Sequence, residues 1–221
     1  MGRVGVVVPL AEVLPLSGAY LPDLARIIAE RYSFASSPDF SRPLTELRES
    51  GIAFQFGKFK EGTTEHNITK LTALADAIVV DSYSTKVAKL FLDDLFYWGS
   101  KSGNLRAPHR DVRYFYLSQV VVEFEKAISK MFRDFEALVE SLSTTFHKTY
   151  KADHLFNISS ISFDRDRTRT PDNSLNILSS FTVERQINQP YASNRFFCTA
   201  PLHTEDHIRL LEEMEARIAT G

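Results

Sequence analysis

The 221 residues contain a single cysteine, Cys198. One thiol excludes an internal disulfide and any zinc site built on clustered thiolates. It also fits a reducing compartment. Charge of one sign is lacking as well: 26 basic against 28 acidic residues leave a formal net charge of −2. No global field draws the chain to nucleic acid or anionic lipid, so either partner would need a local patch. Long apolar runs are missing. The apolar stretch Val4–Leu16 is interrupted by Pro9, Glu12 and Pro15, too short for a membrane span and too broken for a signal core. The dinucleotide, nucleophile-elbow and zincin patterns GxGxxG, GxSxG and HExxH do not occur, and there is no repeat of fixed period. These features predict a cytoplasmic chain without a membrane span or a cofactor.

What is abundant is phenylalanine, seventeen residues in all. That load implies a core filled by large planar groups or an apolar surface that meets a partner. A chain of this length buries roughly 70% of the surface its unfolded form exposes, so it folds without staples.

Read in order, Pro22 suits the first turn of a helix that runs through Arg31, with Leu24, Ile27 and Ile28 on one face. Ser33–Arg42 reads as a loop and Pro43–Ser50 as a short helix. Ile52–Lys60 alternates, with Phe54 and Phe56 on one side and Gly57 and Phe59 on the other. With Ile68–Leu74 and Ala77–Tyr83 it forms an antiparallel meander. The bland reading of Val4–Val8 is an edge strand or a segment packing on a partner. Ser84 or Thr85 caps a helix over Thr85–Trp98, and Gly99 serves as its stop. Val87, Ala88, Phe91, Leu92, Leu95, Phe96 and Trp98 fill half of that helix's circumference. Lys101–Arg110 is the weakest joint in a single domain spanning 1–221. Val112–Glu125 is a long strand.

The cleanest amphipathic pattern covers Lys126–Lys148, where Ile128, Met131, Phe132, Phe135, Leu138, Val139, Leu142 and Phe146 share an arc of about 120°. Strands follow at Leu155–Phe163, Leu175–Ile187 and Arg195–Thr199, and a C-terminal helix at Thr204–Thr220. The fold class is α+β: a mostly antiparallel sheet of six or seven strands packed by two long helices and a C-terminal helix.

Chemistry-bearing motifs are few. Gly57–Thr64, GKFKEGTT, has the glycine spacing of a phosphate loop, but Thr63 stands where the lysine must be and a strand follows. It reads as a hairpin turn. Asp93 and Asp94 point about 100° apart on a helix and form no acid pair; Asp93 instead falls near Lys89. His203 and His207 have a metal-ligand spacing, and with Asp81 they make a candidate metal site. Against it, His207 falls in the apolar arc of Leu210, Leu211, Met214 and Ile218, His203 precedes the cap at Thr204, and Asp81 reads as a turn-side polar residue. In Asp164–Thr170 an extended chain would project Arg165, Arg167 and Arg169 to one side at intervals of about 6.6 Å, near the spacing of nucleic-acid phosphates. Asp164 and Asp166 offset that charge. Cys198 reads as a small buried residue.

The first functional reading is therefore a non-enzymatic binding or assembly protein, a subunit of a bacterial multiprotein complex or a homo-oligomer. It rests on the missing catalytic constellations, the aromatic load and apolar stripes that exceed one small domain's needs. The alternatives are a metal-dependent hydrolase or nuclease using His203, His207 and Asp81, and a nucleic-acid-binding module using Arg165, Arg167 and Arg169.

Overall fold

The computed structural model describes residues 1–15, 18, 20–41, 51–108, 112–128, 135–152, 156–166 and 179–220. The expected helix over Pro43–Ser50 lies outside them. Among the described residues, eight strands form one sheet: β1 (Gly2–Val7), β2 (Ile52–Glu61), β3 (Thr64–Ala73), β4 (Ala77–Ser82), β5 (Arg113–Glu123), β6 (Ser160–Phe163), β7 (Phe181–Arg185) and β8 (Arg195–Ala200). Their hydrogen-bonded order is β2-β3-β4-β1-β5-β8-β7-β6. The helices are α1 (Leu10–Val13), α2 (Leu21–Arg31), α3 (Thr85–Lys101), α4 (Glu136–Tyr150) and α5 (Thr204–Thr220). The class is α+β, with eight strands rather than six or seven. The additional strand is β1.

The chain divides into two compact units. The first holds the described residues of Met1–Ser118 with Pro201–Thr204. The second holds those of Gln119–Pro171 with Ser179–Ala200 and Glu205–Gly221.

In the first unit β1 is interior, not an edge. It pairs antiparallel with β4 (Val4 opposite Val80) and with β5 (Val4 opposite Tyr116). Val4 and Val6 are fully buried, as expected of a strand paired on both sides. Two glycines make the site of β1 possible. A side chain at Gly2 would strike the backbone of Ser84 and Thr85, and one at Gly5 would strike the Phe115 ring.

The β2-β3-β4 meander forms as the alternation predicts, with one difference. Phe56 adopts φ +56° and is 64% exposed, so the inward face of β2 carries Phe54, Gly57 and Phe59. The alternation breaks at that left-handed residue. The free edge of β2 is masked by the chain after α2: Ser36 and Gln55 exchange backbone hydrogen bonds, and Lys58 donates to the Tyr32 carbonyl at 2.6 Å. Covering an edge in this way blocks pairing with other chains.

Helix α3 packs on this sheet. Ser84 caps it, its hydroxyl accepting from the Val87 amide. Val87, Ala88, Phe91, Leu92 and Leu95 are buried, as their periodicity predicts. Phe91 is the hub, with ring centroids 4.6 Å from Tyr32, 5.9 Å from Phe59 and 6.3 Å from Phe34. Each such aromatic contributes about 1.5–3 kcal/mol through burial. Gly99 does not stop the helix, which runs to Lys101; the glycine makes room for Leu105, which packs against it. Helix α2 buries Ala25 and Ile28 but leaves Ile27 38% exposed, a rotated version of the expected face. Beyond α3, Arg106 donates to the Val13 and Leu14 carbonyls, tying the chain that follows α3 to the end of α1.

In the second unit β6, β7 and β8 are joined antiparallel. Residues 155 and 175–178 of the expected strands lie outside the described residues; among those described, β6 begins only at Ser160, and β7 runs only from Phe181 to Arg185. A small core gathers Phe124, Ile128, Val183, Phe196, Cys198 and Leu211. The predicted helix over Lys126–Lys148 is corrected here, because its described part, α4, begins at Glu136. Residues 124–126 are tied down otherwise. Asn194 donates its side-chain amide to the Phe124 and Lys126 carbonyls, and the Glu215 carboxylate accepts from the Glu125 and Lys126 amides. With their backbone groups engaged from outside, these residues do not wind a first turn.

Candidate interaction surface

Helix α4 has its apolar residues where the sequence places them, on one side. It does not bury them. Phe135 is 51%, Leu138 55% and Leu142 46% exposed, and no residue of the helix is buried. It meets the segment that follows: the Ser143 hydroxyl accepts from the Phe156 amide, and the Phe146 and Phe156 rings lie 5.4 Å apart. Lys151, at φ +53°, closes the helix in the left-handed conformation, its amide donating to the His147 carbonyl. The opposite face is polar, with Glu140, Ser141, Thr144 and Lys148. The sequence identified this stripe but assigned it to the core. Its excess over one small domain's needs was the signal of its exposure.

The predicted metal set does not assemble as a ligand cluster. Asp81 is no turn residue. It is 6% exposed within β4, and both its carboxylate oxygens accept from the Arg3 guanidinium, at 2.6 and 3.1 Å. The hydrogen bond to Asp81 in turn raises the Arg3 pKa. His203 precedes α5 and lies against Tyr116, the rings tilted by 42° with centroids 3.9 Å apart. His207 is fully buried, its ring edge-on to Phe181, and burial pushes its pKa down to about 4. Among the described residues no group of three or more His, Cys, Asp and Glu side chains could hold a metal ion.

Of the arginine row, Arg167 and Arg169 lie outside the described residues. Arg165 is half-buried, its amide donating to the carboxylate of Asp164. Cys198 is buried, and burial pushes its thiol up to about 12, far from a reactive thiolate at neutral pH.

Asp93 and Asp94 diverge as projected. Asp93 accepts from Lys89 at 2.6 Å, while Asp94 accepts from Arg31 and from the Tyr32 hydroxyl at 2.7 Å. The latter pair lines a cleft of about 520 Å³ with Ser33, Lys58, Phe59, Lys60 and Glu65, in which Lys58 is itself paired with Glu65. Burial and the neighbouring Asp94 carboxylate outweigh Arg31 and raise the Tyr32 pKa. This holds the phenol neutral, as a donor.

One buried polar arrangement was not legible in the sequence. Thr85 and Thr204 serve each other across 119 residues. The Thr85 amide donates to the Thr204 hydroxyl at 3.0 Å, and the Thr204 amide donates to the Thr85 hydroxyl at 2.8 Å. Each thus satisfies a first-turn donor left over by its partner's helix. The arrangement consumes both hydroxyls and is structural.

No helix of the described residues is long and apolar enough to cross a membrane. No protein-family model matches the chain, and no curated protein matches its sequence.

Proposed function

We propose that this chain is a non-enzymatic binding and assembly protein of the cytoplasm, working as a subunit of a multiprotein complex or as a homo-oligomer. One observation carries the reading: the apolar stripe of α4 remains about half exposed at Phe135, Leu138 and Leu142 in a folded chain. Covering what remains open of each leucine would contribute about 1 kcal/mol. A contiguous apolar stripe rimmed by polar residues is the usual mark of an interaction surface. The described acids that might have formed a reactive cluster are engaged instead, Asp81 by Arg3, Asp94 by Arg31 and Tyr32, and Glu65 by Lys58.

The test is fractionation of a native-cell extract by sedimentation. The parent is expected in a species larger than its 25.1 kDa chain. A double variant, Leu138→Glu with Leu142→Glu, is expected to run at the chain's own mass with unchanged circular dichroism. A parent that itself runs at the mass of a single chain overturns the reading.

A further inference from the structure

The hairpin between β2 and β3 brings three reactive side chains together in the first unit. Glu61 ends β2, and His66 lies on β3 opposite Phe59. The β3-β4 ladder ends with Ile68 opposite Ser82, so Tyr83, the next residue, comes beside His66. Nδ1 of His66 lies 2.9 Å from the Tyr83 hydroxyl, and Nε2 lies 3.4 Å from the Glu61 carboxylate. We infer that Tyr83 is a base-activated phenol, a nucleophilic acceptor for an acyl group from a reactive acyl donor.

Glu61 decides which nitrogen of His66 carries the proton. A carboxylate only accepts, so Nε2 of the neutral imidazole donates to it. Nδ1 is then left without a hydrogen and accepts from the Tyr83 hydroxyl. A base thus sits within hydrogen-bond reach of a nucleophile, and a third group orients the base. His66 is the base and Glu61 is a positioning residue.

Packing holds this geometry in place. The His66 ring stacks on Phe59 at an interplanar angle of 25°, and only 10% of the side chain is exposed. Phe59 is itself buried against Phe91. Tyr83, by contrast, is 59% exposed, so a donor in solution can reach it. Among the described residues no Lys or Arg pairs with Glu61, His66 or Tyr83. The nearby negative charge of Glu61 is therefore without a matching cation, which disfavours a phosphoryl donor with its several anionic oxygens and suits an uncharged acyl carbonyl.

In the transfer, the Tyr83 oxygen bonds to the acyl carbon and the bond from that carbon to the leaving group breaks. The phenol proton passes to Nδ1 of His66 and from there to the leaving group. The product is an aryl ester on Tyr83. This acceptor role is compatible with the assembly reading of α4 and does not depend on it.

The experiment treats the full chain with N-acetylimidazole and follows each tyrosine by mass spectrometry of its peptide. Hydroxylamine, which cleaves aryl esters, confirms that the acetyl group is on oxygen. Tyr20 and Tyr97 serve as references, because at 71% and 69% they are more exposed than Tyr83 and would react faster on exposure alone. Tyr83 is expected to outpace both by about a hundredfold, the low end of what a positioned base supplies. His66→Phe keeps a ring against Phe59 and removes both nitrogens; it is expected to bring Tyr83 down to the rate of the references. Glu61→Leu is expected to lose part of the advantage, and Glu61→Gln to recover it, because the amide oxygen still accepts from Nε2.

A Tyr83 that reacts no faster than Tyr20 and Tyr97 in the parent overturns the inference, and that comparison requires no variant to fold. So does an advantage that survives His66→Phe, which would make exposure its whole cause. Glu61→Leu acetylated as fast as the parent overturns the relay through Nε2.

Discussion

Helices α3 and α4 have the same kind of sequence and opposite fates. Each repeats apolar residues on one side, and each ends with a basic last turn. Helix α3 buries Val87, Ala88, Phe91, Leu92 and Leu95, whereas α4 buries nothing. Periodicity fixes which face of a helix is apolar; it does not fix what covers that face. For α3 the cover is supplied by residues remote in sequence: Tyr32 and Phe34 after α2, and Phe59 on β2. On α4 the Phe146 ring and the Ser143 hydroxyl meet the adjoining Phe156 segment, while Leu138 and Leu142 stay about half exposed. The difference separates a stripe that makes a core from one that stays about half exposed.

The largest effect that tests this contrast is at its buried end. Phe91→Ala is expected to cost about 3–5 kcal/mol, because the hub of four rings loses its centre and the site is too crowded to collapse fully. Urea denaturation of the variant checks it. A loss below about 1 kcal/mol would mean that the α3 stripe is no more anchored than that of α4, and the comparison would fail.

Acid sharpens the contrast from within the second unit. Burial holds His207 at a pKa of about 4, against about 6.5 in the unfolded chain. Between these values the unfolded state binds the proton and the folded state does not. Stability is therefore full above about pH 6.5 and falls as pH drops toward 4. The fall is on the order of 2–3 kcal/mol for this group. Stability measured from pH 7 to pH 4 is expected to be steep in the parent and flatter in His207→Gln; identical slopes would refute the assignment. Phe124, Phe196, Cys198 and Leu211 belong to this small core, so their environments should respond in the same pH window.

Much of this was legible in the chain. The β2-β3-β4 meander, the Ser84 cap, the buried face of α3 and the inward turn of His207 all follow from alternation, capping chemistry and helical projection, which are local properties. The unread parts depend on residues far apart in sequence. Val4 and Val6 look like an edge because their partners, Val80 and Tyr116 among them, come much later. Lys126 looks helical until Asn194 and Glu215 engage its backbone. Asp81 looks like a turn residue until Arg3, 78 positions away, meets it. The α4 stripe lay between these cases: its residues and its excess over one domain's needs were readable, but which of its residues stay exposed was not.

The paired threonines give a smaller effect, at the other end of α3 from its basic turn. Thr204→Val keeps the shape and removes the hydroxyl that accepts from the Thr85 amide and serves the Thr85 side chain. Leaving those buried groups without this partner is expected to cost about 1–3 kcal/mol. Thr85→Val strands the Thr204 amide and should cost a similar amount. The double variant is expected to lose less than the sum of the two, because both changes break one interaction. Strict additivity in a denaturant double-mutant cycle would mean that the reciprocal hydrogen bonds contribute nothing, and the anchoring of α3 would rest on its apolar face alone.

The smallest effect is the most discriminating. In dilute solution, below the concentration at which any dimer forms, Leu142→Ala is expected to change stability by no more than about 0.5 kcal/mol, the range of an exposed substitution. Leucine and alanine are both strong helix formers, so little comes from intrinsic propensity. The same leucine-to-alanine change at Leu92, which is fully buried on α3, is expected to cost about 2–5 kcal/mol. Chemistry and secondary structure match at the two positions, so the gap between them measures cover alone. A cost at Leu142 approaching that at Leu92 in the monomer would show that the chain buries the α4 stripe against itself, leaving no surface for a partner.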